Sequence, residues 1–192
     1  TLFFRGNYSV EFRAYNEGVA YRFVTSLKGD ITVSNELLTL NFTENTLSLF
    51  PEEESLVSHY ERLYIPSKLD TISETKFCSL PVLMQVNNVV KIVFTEADVY
   101  DYPAMFLYGT KKNSLKAGFP KYVLEAKPMP GAEDRNEIIA QTADYMAKTQ
   151  GSRSFPWRVC IVTDDDRKLI ENNLVYQLAR PSQIKETGWI KP

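Results

Sequence analysis

Apolar and polar residues alternate through the first part of the chain, and this alternation predicts β-strands. From residue 8 to residue 15 the apolar side chains fall on every second position, at Tyr8, Val10, Phe12 and Ala14. A turn sequence follows at residues 16–18, and the alternation resumes over residues 19–25. Because a period of two residues is that of an extended chain, the pattern predicts a β-hairpin that residues 28–30 would close.

Short apolar runs separated by polar residues continue along the chain and predict further strands. These runs cover residues 31–34, 37–42, 46–50, 80–84, 89–94, 104–108, 114–119 and 157–163. Asn87 and Asn88 predict a tight turn between two of the runs, and the acidic stretch 51–55 predicts a loop. Many short strands at such intervals are typical of a β-sandwich.

Two segments add helical signals to this β pattern. Between residues 133 and 149 the apolar side chains fall at helical spacing, and Gly151 would end this helix. A long loop or a β excursion is the alternative, since two prolines precede the segment. The acidic triplet 164–166 predicts the start of a second, short helix, because carboxylates favour the positive end of a helix. The whole pattern predicts a mainly β protein, an antiparallel β-sandwich with one or two short helices.

Composition narrows the functional classes. A net charge of −2 leaves no global field that would attract nucleic acid or an anionic membrane. No apolar run reaches the length of a membrane-spanning helix. The single histidine, His59, excludes a histidine-rich metal site, and packing or an interdomain contact is its favoured role. Cys78 and Cys160 lie in separate apolar runs, and both a disulfide and two buried thiols remain open.

The strongest candidate for chemistry follows the predicted strand 89–94. Three carboxylates, Glu96, Asp98 and Asp101, occur there within six residues. Acidic side chains at a strand end can supply hard oxygen ligands to Ca²⁺. From spacing alone, the favoured interpretation is a solvated turn in which Asp98 and Asp101 accept hydrogen bonds from local backbone N–H groups. For the triplet 164–166, helix capping is favoured over a calcium loop, which needs spaced oxygens and a glycine.

Four motifs, in order along the chain, resemble glycoside hydrolase family 97. They are the hairpin sequence 15–23, Thr95-Glu96-Ala97-Asp98 with Tyr102-Pro103-Ala104-Met105, Phe155-Pro156-Trp157-Arg158, and the closing Trp189-Ile190-Lys191-Pro192. No single motif is decisive, but four in this order are fairly specific, and together they span the whole chain. The resemblance implies the N-terminal β-sandwich of that family, a super-sandwich of the galactose-mutarotase type.

The resemblance also implies a site. In that family a glutamate of the N-terminal domain helps glutamates of the catalytic barrel to hold a calcium ion, and the matching position here is Glu96. Phe119 and Lys121 are expected to face the same site, where Phe119 would stack on a sugar and Lys121 would hydrogen-bond to hydroxyls. For both, an exposed turn after a strand is the alternative. Because one carboxylate cannot hold calcium tightly, the 192 residues alone are expected to be metal-free.

The implied organisation is that of one domain and a linker. Residues 1–182 would form the N-terminal β-sandwich, incomplete at its start. Residues 183–192 would lead into a catalytic (β/α)8 barrel that is absent from this sequence, so no catalytic residue is expected here and the 192 residues alone should be inactive. The protein would be periplasmic or secreted, with its signal peptide outside this stretch.

The implied function is that of a non-catalytic domain in a calcium-dependent, exo-acting α-glycosidase, an α-galactosidase or an α-glucosidase. The domain would pack on its own barrel and contribute a calcium ligand and part of the substrate pocket. The substrate would be an α-linked oligosaccharide, with no nucleic-acid partner and no membrane insertion. The sequence 155–158 and the insertion before it favour the α-galactosidase branch. The alternatives are a stand-alone carbohydrate-binding module, which needs an exposed aromatic platform, and a purely structural sandwich.

Overall fold

The computed structural model describes residues 1–87, 89–133 and 136–191. Its strands are β1 (Leu2–Phe4), β2 (Tyr8–Tyr15), β3 (Gly18–Val33), β4 (Thr39–Asn41), β5 (Leu47–Glu53), β6 (Tyr64–Lys68), β7 (Phe77–Cys78), β8 (Val82–Gln85), β9 (Lys91–Ala97), β10 (Phe106–Gly109), β11 (Ser114–Gly118), β12 (Val123–Pro128), β13 (Glu137–Thr142), β14 (Ala147–Ser154) and β15 (Trp157–Thr163). A 3₁₀ turn covers Leu69–Thr71, and the two helices are α1 (Arg167–Ile170) and α2 (Leu174–Leu178). None of these helices is long and apolar enough to cross a membrane.

Two antiparallel sheets share one strand. The first sheet runs in the order β1-β2-β3-β15-β9-β8-β5, with β14 also beside β3 and β6 also beside β5. β5 pairs with β8 through residues 47–49 and with β7 through residues 52–53, so it leads into the second sheet, β7-β10-β11-β4. The predicted antiparallel β fold with two short helices is confirmed.

The main core lies between the two sheets. Val82, Met84 and Phe94 of the first sheet face the interior, and Leu107 and Leu115 of the second sheet pack against them. All five side chains are almost completely removed from solvent. Burial of this apolar surface is the main favourable contribution to folding, and we call this side of the first sheet its inner face.

The opposite, outer face of the first sheet carries a second core under the helices. Trp157 and Val159 of β15 are buried there, beneath Leu174 and Leu178 of α2. On the exposed flank, the guanidinium of Arg22 lies 4.3 Å from the centre of the Trp157 ring. Successive side chains of β15 therefore face two different cores, which is why this strand reads as a continuous apolar run.

The helix predicted over residues 133–149 is wrong. Residues 137–142 form β13, and β14 begins at Ala147. Along β14 buried and exposed positions alternate strictly from Ala147 to Gln150, which is the period of a strand. Gly151 does not end a helix: a Cβ there would lie 2.8 Å from the carbonyl oxygen of Leu27, so the close approach of β3 requires glycine. Residues 134 and 135 of the predicted helix lie outside the described residues.

Other boundaries also differ from prediction. Residues 28–30 do not close the hairpin, because β3 continues to Val33 and pairs with β14 around an irregularity in register. Gly29 has a φ of +67° there, a conformation that suits a bulge. β5 extends to Glu53, into the stretch predicted as a loop. Asn88 of the predicted turn lies outside the described residues, while the side chain of Asn87 accepts hydrogen bonds from the N–H groups of residues 89 and 90.

Both cysteines are free thiols, which decides the question that the sequence left open. Cys78 lies in β7 and Cys160 in β15, on different sheets. Burial raises the pKa of both, that of Cys160 to about 11. Both thiols therefore remain protonated at neutral pH and contribute as small apolar side chains.

Truncation of the main core should be costly. We expect Leu107→Ala to lower the free energy of unfolding by about 2–5 kcal/mol, because the side chain is fully buried and its loss leaves a cavity. Urea denaturation followed by circular dichroism measures the effect. The control Ile170→Ala removes a side chain that is 88% exposed on α1 and should change stability by about 0.5 kcal/mol or less. Equal effects of the two substitutions would contradict the packing described.

Candidate functional site

The candidate site is built on one row of residues across the inner face of the first sheet. Antiparallel pairing places Phe12 of β2 opposite Tyr21 of β3, Tyr21 opposite Arg158 of β15, and Arg158 opposite Glu96 of β9. Residues that are paired in a ladder share a face, so the four side chains follow one another along the sheet. Glu96 belongs to β9 itself, which ends at Ala97 rather than near Thr95 as predicted.

Arg158 is the centre of this row. Its side chain is 1% exposed, and its guanidinium binds Glu36 through two parallel hydrogen bonds, from Nε at 2.7 Å and from Nη2 at 2.6 Å. Nη1 donates to Oε2 of Glu96 at 2.5 Å. The other oxygen of Glu96 accepts a hydrogen bond from the backbone N–H of Met105 at 3.1 Å. Two carboxylates from distant segments are thus fixed by one buried cation.

Aromatic rings enclose this cluster. The Tyr102 hydroxyl donates to Oε2 of Glu36 at 3.1 Å. The ring of Phe119 lies 5.4 Å from the guanidinium of Arg158 and meets the Tyr102 ring edge-to-face. The rings exclude water from one side of the cluster, and this strengthens the electrostatic interactions inside it.

The electrostatics of the cluster follow from its burial. Burial raises the pKa of Glu96 above its usual range, although the positive charge of Arg158 opposes that shift. Burial alone would lower the pKa of Arg158, but the hydrogen bonds and charge of Glu36 outweigh it and hold the pKa above its ordinary value. Two carboxylates face one guanidinium, so the ionised cluster carries a net negative charge.

The three carboxylates singled out in the sequence do not converge. Glu96 binds Arg158, whereas Asp98 binds Arg180 through two hydrogen bonds of 2.7 and 3.0 Å. Asp101 accepts a hydrogen bond from the hydroxyl of Thr149 at 3.2 Å. Asp98 and Asp101 both have positive φ values, so the backbone turns sharply after β9 and directs the three side chains to different partners. Their partners lie far away in the sequence, namely the side chain and backbone N–H of Arg180 and the hydroxyl of Thr149, rather than in the local backbone as expected.

The other predicted residues lie around the cluster. Phe119 is half-buried against the main core and the guanidinium of Arg158. Lys121 is exposed, and its ammonium group donates to the carbonyl oxygen of Asp144 at 2.8 Å. His59 is exposed, and its Nδ1 accepts the N–H of Glu61 at 3.0 Å. In the triplet 164–166, the N-cap residue Asp166 makes no side-chain capping hydrogen bond, whereas Oδ1 of Asp165 accepts the N–H of residue 167, the first residue of α1.

Glu96 fits the role of a single calcium ligand. Each of its oxygens accepts one hydrogen bond and keeps another lone pair, and the ionised cluster of Glu36, Glu96 and Arg158 is net negative as a whole, which favours a nearby cation. Among the residues that the structure describes, no three His, Cys, Asp or Glu side chains come together as a metal site. Glu96 therefore remains a candidate for a single calcium ligand.

The sequence pointed to Glu96 but missed its partners. Arg158 and Glu36 are separated by 122 positions, and nothing in the local pattern of either segment indicates the pair. A signal was present in Phe155-Pro156-Trp157-Arg158, because an arginine inside an otherwise apolar strand requires buried counter-charges. Glu36 gave no signal, since a glutamate between two short strands normally faces solvent.

The fold and the site define a two-sheet β-sandwich domain that presents a glutamate held by a buried arginine. The chain belongs to the glycosyl-hydrolase 97 N-terminal family, whose model matches residues 2–181. It is 31% identical over its full length to a retaining alpha-galactosidase of Bacteroides thetaiotaomicron, of which it covers 30%.

Solved structures agree with the fold. A family 97 enzyme of Pseudoalteromonas sp. strain K8, solved in complex with acarbose, aligns with 96% of this chain at a TM-score of 0.73 and 20% identity. A beta-arabinopyranosidase aligns with 82% of this chain at a TM-score of 0.62 and 21% identity. This chain covers 25% of each of these two proteins, so it corresponds to a minor part of its relatives' length.

Loss of the buried guanidinium of Arg158 should strongly destabilise the fold. We expect Arg158→Met to lower the free energy of unfolding by about 3–5 kcal/mol, because two buried carboxylates would then face each other without a counter-charge. The control Arg167→Met removes an arginine that binds Asp165 at 2.8 Å but is 87% exposed, and should leave the stability nearly unchanged. Urea denaturation at neutral pH measures both. Similar losses for the two variants would contradict the central place of Arg158.

Proposed function

We propose that this chain is the non-catalytic N-terminal domain of a calcium-dependent, exo-acting α-glycosidase. The reaction would be hydrolysis of a terminal α-linked galactose or glucose from an oligosaccharide. Membership of the glycosyl-hydrolase 97 N-terminal family supports the class, and the similarity to a retaining alpha-galactosidase over the full length of the chain favours galactose. The proposed location is the periplasm or the cell exterior.

The catalytic carboxyl groups would belong to another part of the polypeptide. Hydrolysis of a glycosidic bond uses a pair of carboxyl groups, one of which protonates the leaving oxygen. In this domain the buried carboxylates Glu36 and Glu96 both accept hydrogen bonds from Arg158, an arrangement that suits holding a position rather than transferring a proton. The domain therefore supports the reaction rather than performing it.

The proposed contribution of the domain is one calcium ligand, Glu96. The observation that carries this assignment is the geometry of its carboxylate, which Arg158 and the N–H of Met105 hold at the end of β9. A bound calcium ion would supply positive charge to orient and polarise the substrate. Phe119 and Lys121 are proposed to border the substrate pocket, because both follow β11 and Phe119 contacts the cluster.

The calcium assignment predicts a selective effect of Glu96→Gln in the full-length protein. The amide keeps the size of the side chain but loses its charge, so we expect weaker calcium binding and lower hydrolysis of α-galactosyl and α-glucosyl nitrophenyl substrates. Activity should also fall when EDTA removes the ion. Calorimetric calcium titration and initial rates measure these effects.

The matched control is Glu74→Gln, because Glu74 is an exposed glutamate that takes no part in the Arg158 cluster. This variant should keep wild-type calcium affinity and activity. Unchanged calcium affinity in Glu96→Gln, or full activity in EDTA, would overturn the assignment of Glu96 as a ligand.

A second candidate function, a carbohydrate-binding module, is favoured by one observation. On the inner face of the first sheet, the rings of Phe4, Tyr8 and Phe12 are exposed beside the row that leads to Arg158. Phe4 and Tyr8 stack with ring centroids 5.0 Å apart and planes at 3°. Such an aromatic platform is the feature that a sugar-binding surface requires, because ring faces pack on the apolar side of a pyranose.

The binding-module hypothesis predicts saturable binding of α-linked oligosaccharides by the 192-residue chain without calcium. Phe12→Ala should weaken this binding, because it removes an exposed ring from the platform. Tyr176→Ala is the control, since Tyr176 is an exposed aromatic residue on α2, over the outer face. Isothermal titration with galactosyl and glucosyl oligosaccharides measures the affinities. If neither the galactosyl nor the glucosyl oligosaccharides gave a heat of binding, the binding-module hypothesis would be excluded.

A further inference from the structure

The hairpin of β12 and β13 does not contribute to either core. In β12 and β13, of six residues each, every residue is exposed, and the two strands pair only with each other. A two-stranded hairpin is marginally stable in water by itself. This hairpin therefore needs support that the described residues do not supply.

The base of the hairpin is closed by contacts between its own two arms. The backbone of Tyr122 exchanges hydrogen bonds with Ala143 and Tyr145, and the rings of Tyr122 and Tyr145 lie 5.4 Å apart. The hairpin follows β11 by way of Phe119, whose ring contacts the guanidinium of Arg158. The hairpin therefore begins close to the cluster that holds Glu96.

One face of the hairpin lines a groove of about 760 Å³. Val123, Ala126, Met129 and Ile139 line the hairpin side of the groove. The opposite wall is the segment 57–62, which buried Glu53 anchors by accepting hydrogen bonds from Ser58 at 2.6 Å and from Arg62 at 2.8 Å. The segment 57–62 is therefore anchored to the sandwich, and the space between it and the hairpin is open.

The chemistry of this groove fits a protein surface. Val57 and four apolar hairpin residues line it together with polar and charged side chains from both walls, which are Ser58, His59, Arg62, Asn136 and Glu137. Protein–protein interfaces combine apolar contacts with polar groups in this way. A sugar site usually offers the ring faces of Phe, Tyr or Trp, and none of these three residue types lines the groove.

We propose that this hairpin groove is the docking surface for the catalytic part of the same polypeptide. Relatives are three to four times as long as this chain, so a large body is available, and a tethered partner binds at high effective concentration. A second groove that includes Val123 and Ile139 continues to Pro103 and Lys121, beside the Glu96 cluster. A body that completes the calcium site would therefore reach the hairpin. This inference rests on the proposed function, because that function supplies the partner, the catalytic part of the same polypeptide.

The test is hydrogen exchange in the full-length protein, read on peptides that cover residues 122–130 and 136–143. We expect amides of both strands to be protected to about the level of β14, since docking would prevent the hairpin from opening. Exchange about tenfold or more faster than in β14 would overturn the proposal. Protection that appears only when the protein concentration is raised would instead identify a second copy as the occupant and would also overturn it.

A pair of substitutions tests the contact itself. Ile139→Asp places a charge in the groove without touching the sandwich core, and should speed exchange of both strands by about tenfold or more. Ile170→Asp is the matched control on α1, over the outer face, and should leave the hairpin unchanged. An unaffected hairpin in Ile139→Asp would contradict docking.

Failure of the proposed function would be visible separately. Hydrolysis and calcium binding of the wild-type protein test that function without reference to the hairpin. An active, calcium-dependent enzyme with an unprotected hairpin would exclude only the docking surface. Protection that is independent of concentration, in a protein with neither activity nor calcium binding, would exclude only the glycosidase assignment.

Discussion

A buried arginine needs its charge compensated, and this requirement organises the inner face of the sandwich. The guanidinium of Arg158 cannot lose its proton in a protein, so it is stable in the interior only when carboxylates surround it. Glu36 satisfies two of its N–H groups and Glu96 a third. The segment between β3 and β4, the end of β9 and the start of β15 must therefore meet at one point, although they are far apart in sequence.

The neighbour of Arg158 in the chain extends this organisation to the other side of the sheet. Trp157 faces the outer core, where α2 covers it, so one strand fixes the position of both layers. After α2, Arg180 binds Asp98, two residues beyond Glu96. The polypeptide that follows α2 is thus held beside the loop after the candidate calcium ligand. Local pairing and this long-range ion pair place the segment after α2 beside the candidate site.

Sequence pattern predicted those parts of the fold in which one physical signal dominates. The β2–β3 hairpin and β15 follow from alternation and from an apolar run, and β15 has the predicted bounds, Trp157–Thr163. The failure at residues 133–149 has a physical cause: β13 is exposed on both faces, so its apolar residues do not alternate, and adjacent Ile138 and Ile139 mimic a helical stripe. At the site, Glu96 could be found from its motif, whereas Glu36 acquires its role only through tertiary contact with Arg158.

The arrangement around Glu96 combines two opposing demands. A ligand that is already fixed loses little conformational freedom when an ion or a partner binds, and the β-ladder together with Arg158 provides that order. The same arginine would repel a cation. Glu36 offsets this effect, because its bidentate hydrogen bonds compensate the charge of Arg158 and leave the cluster net negative. Glu36 is therefore more than a structural partner: it allows one arginine to hold Glu96 in place while the carboxylate remains available to a positive charge.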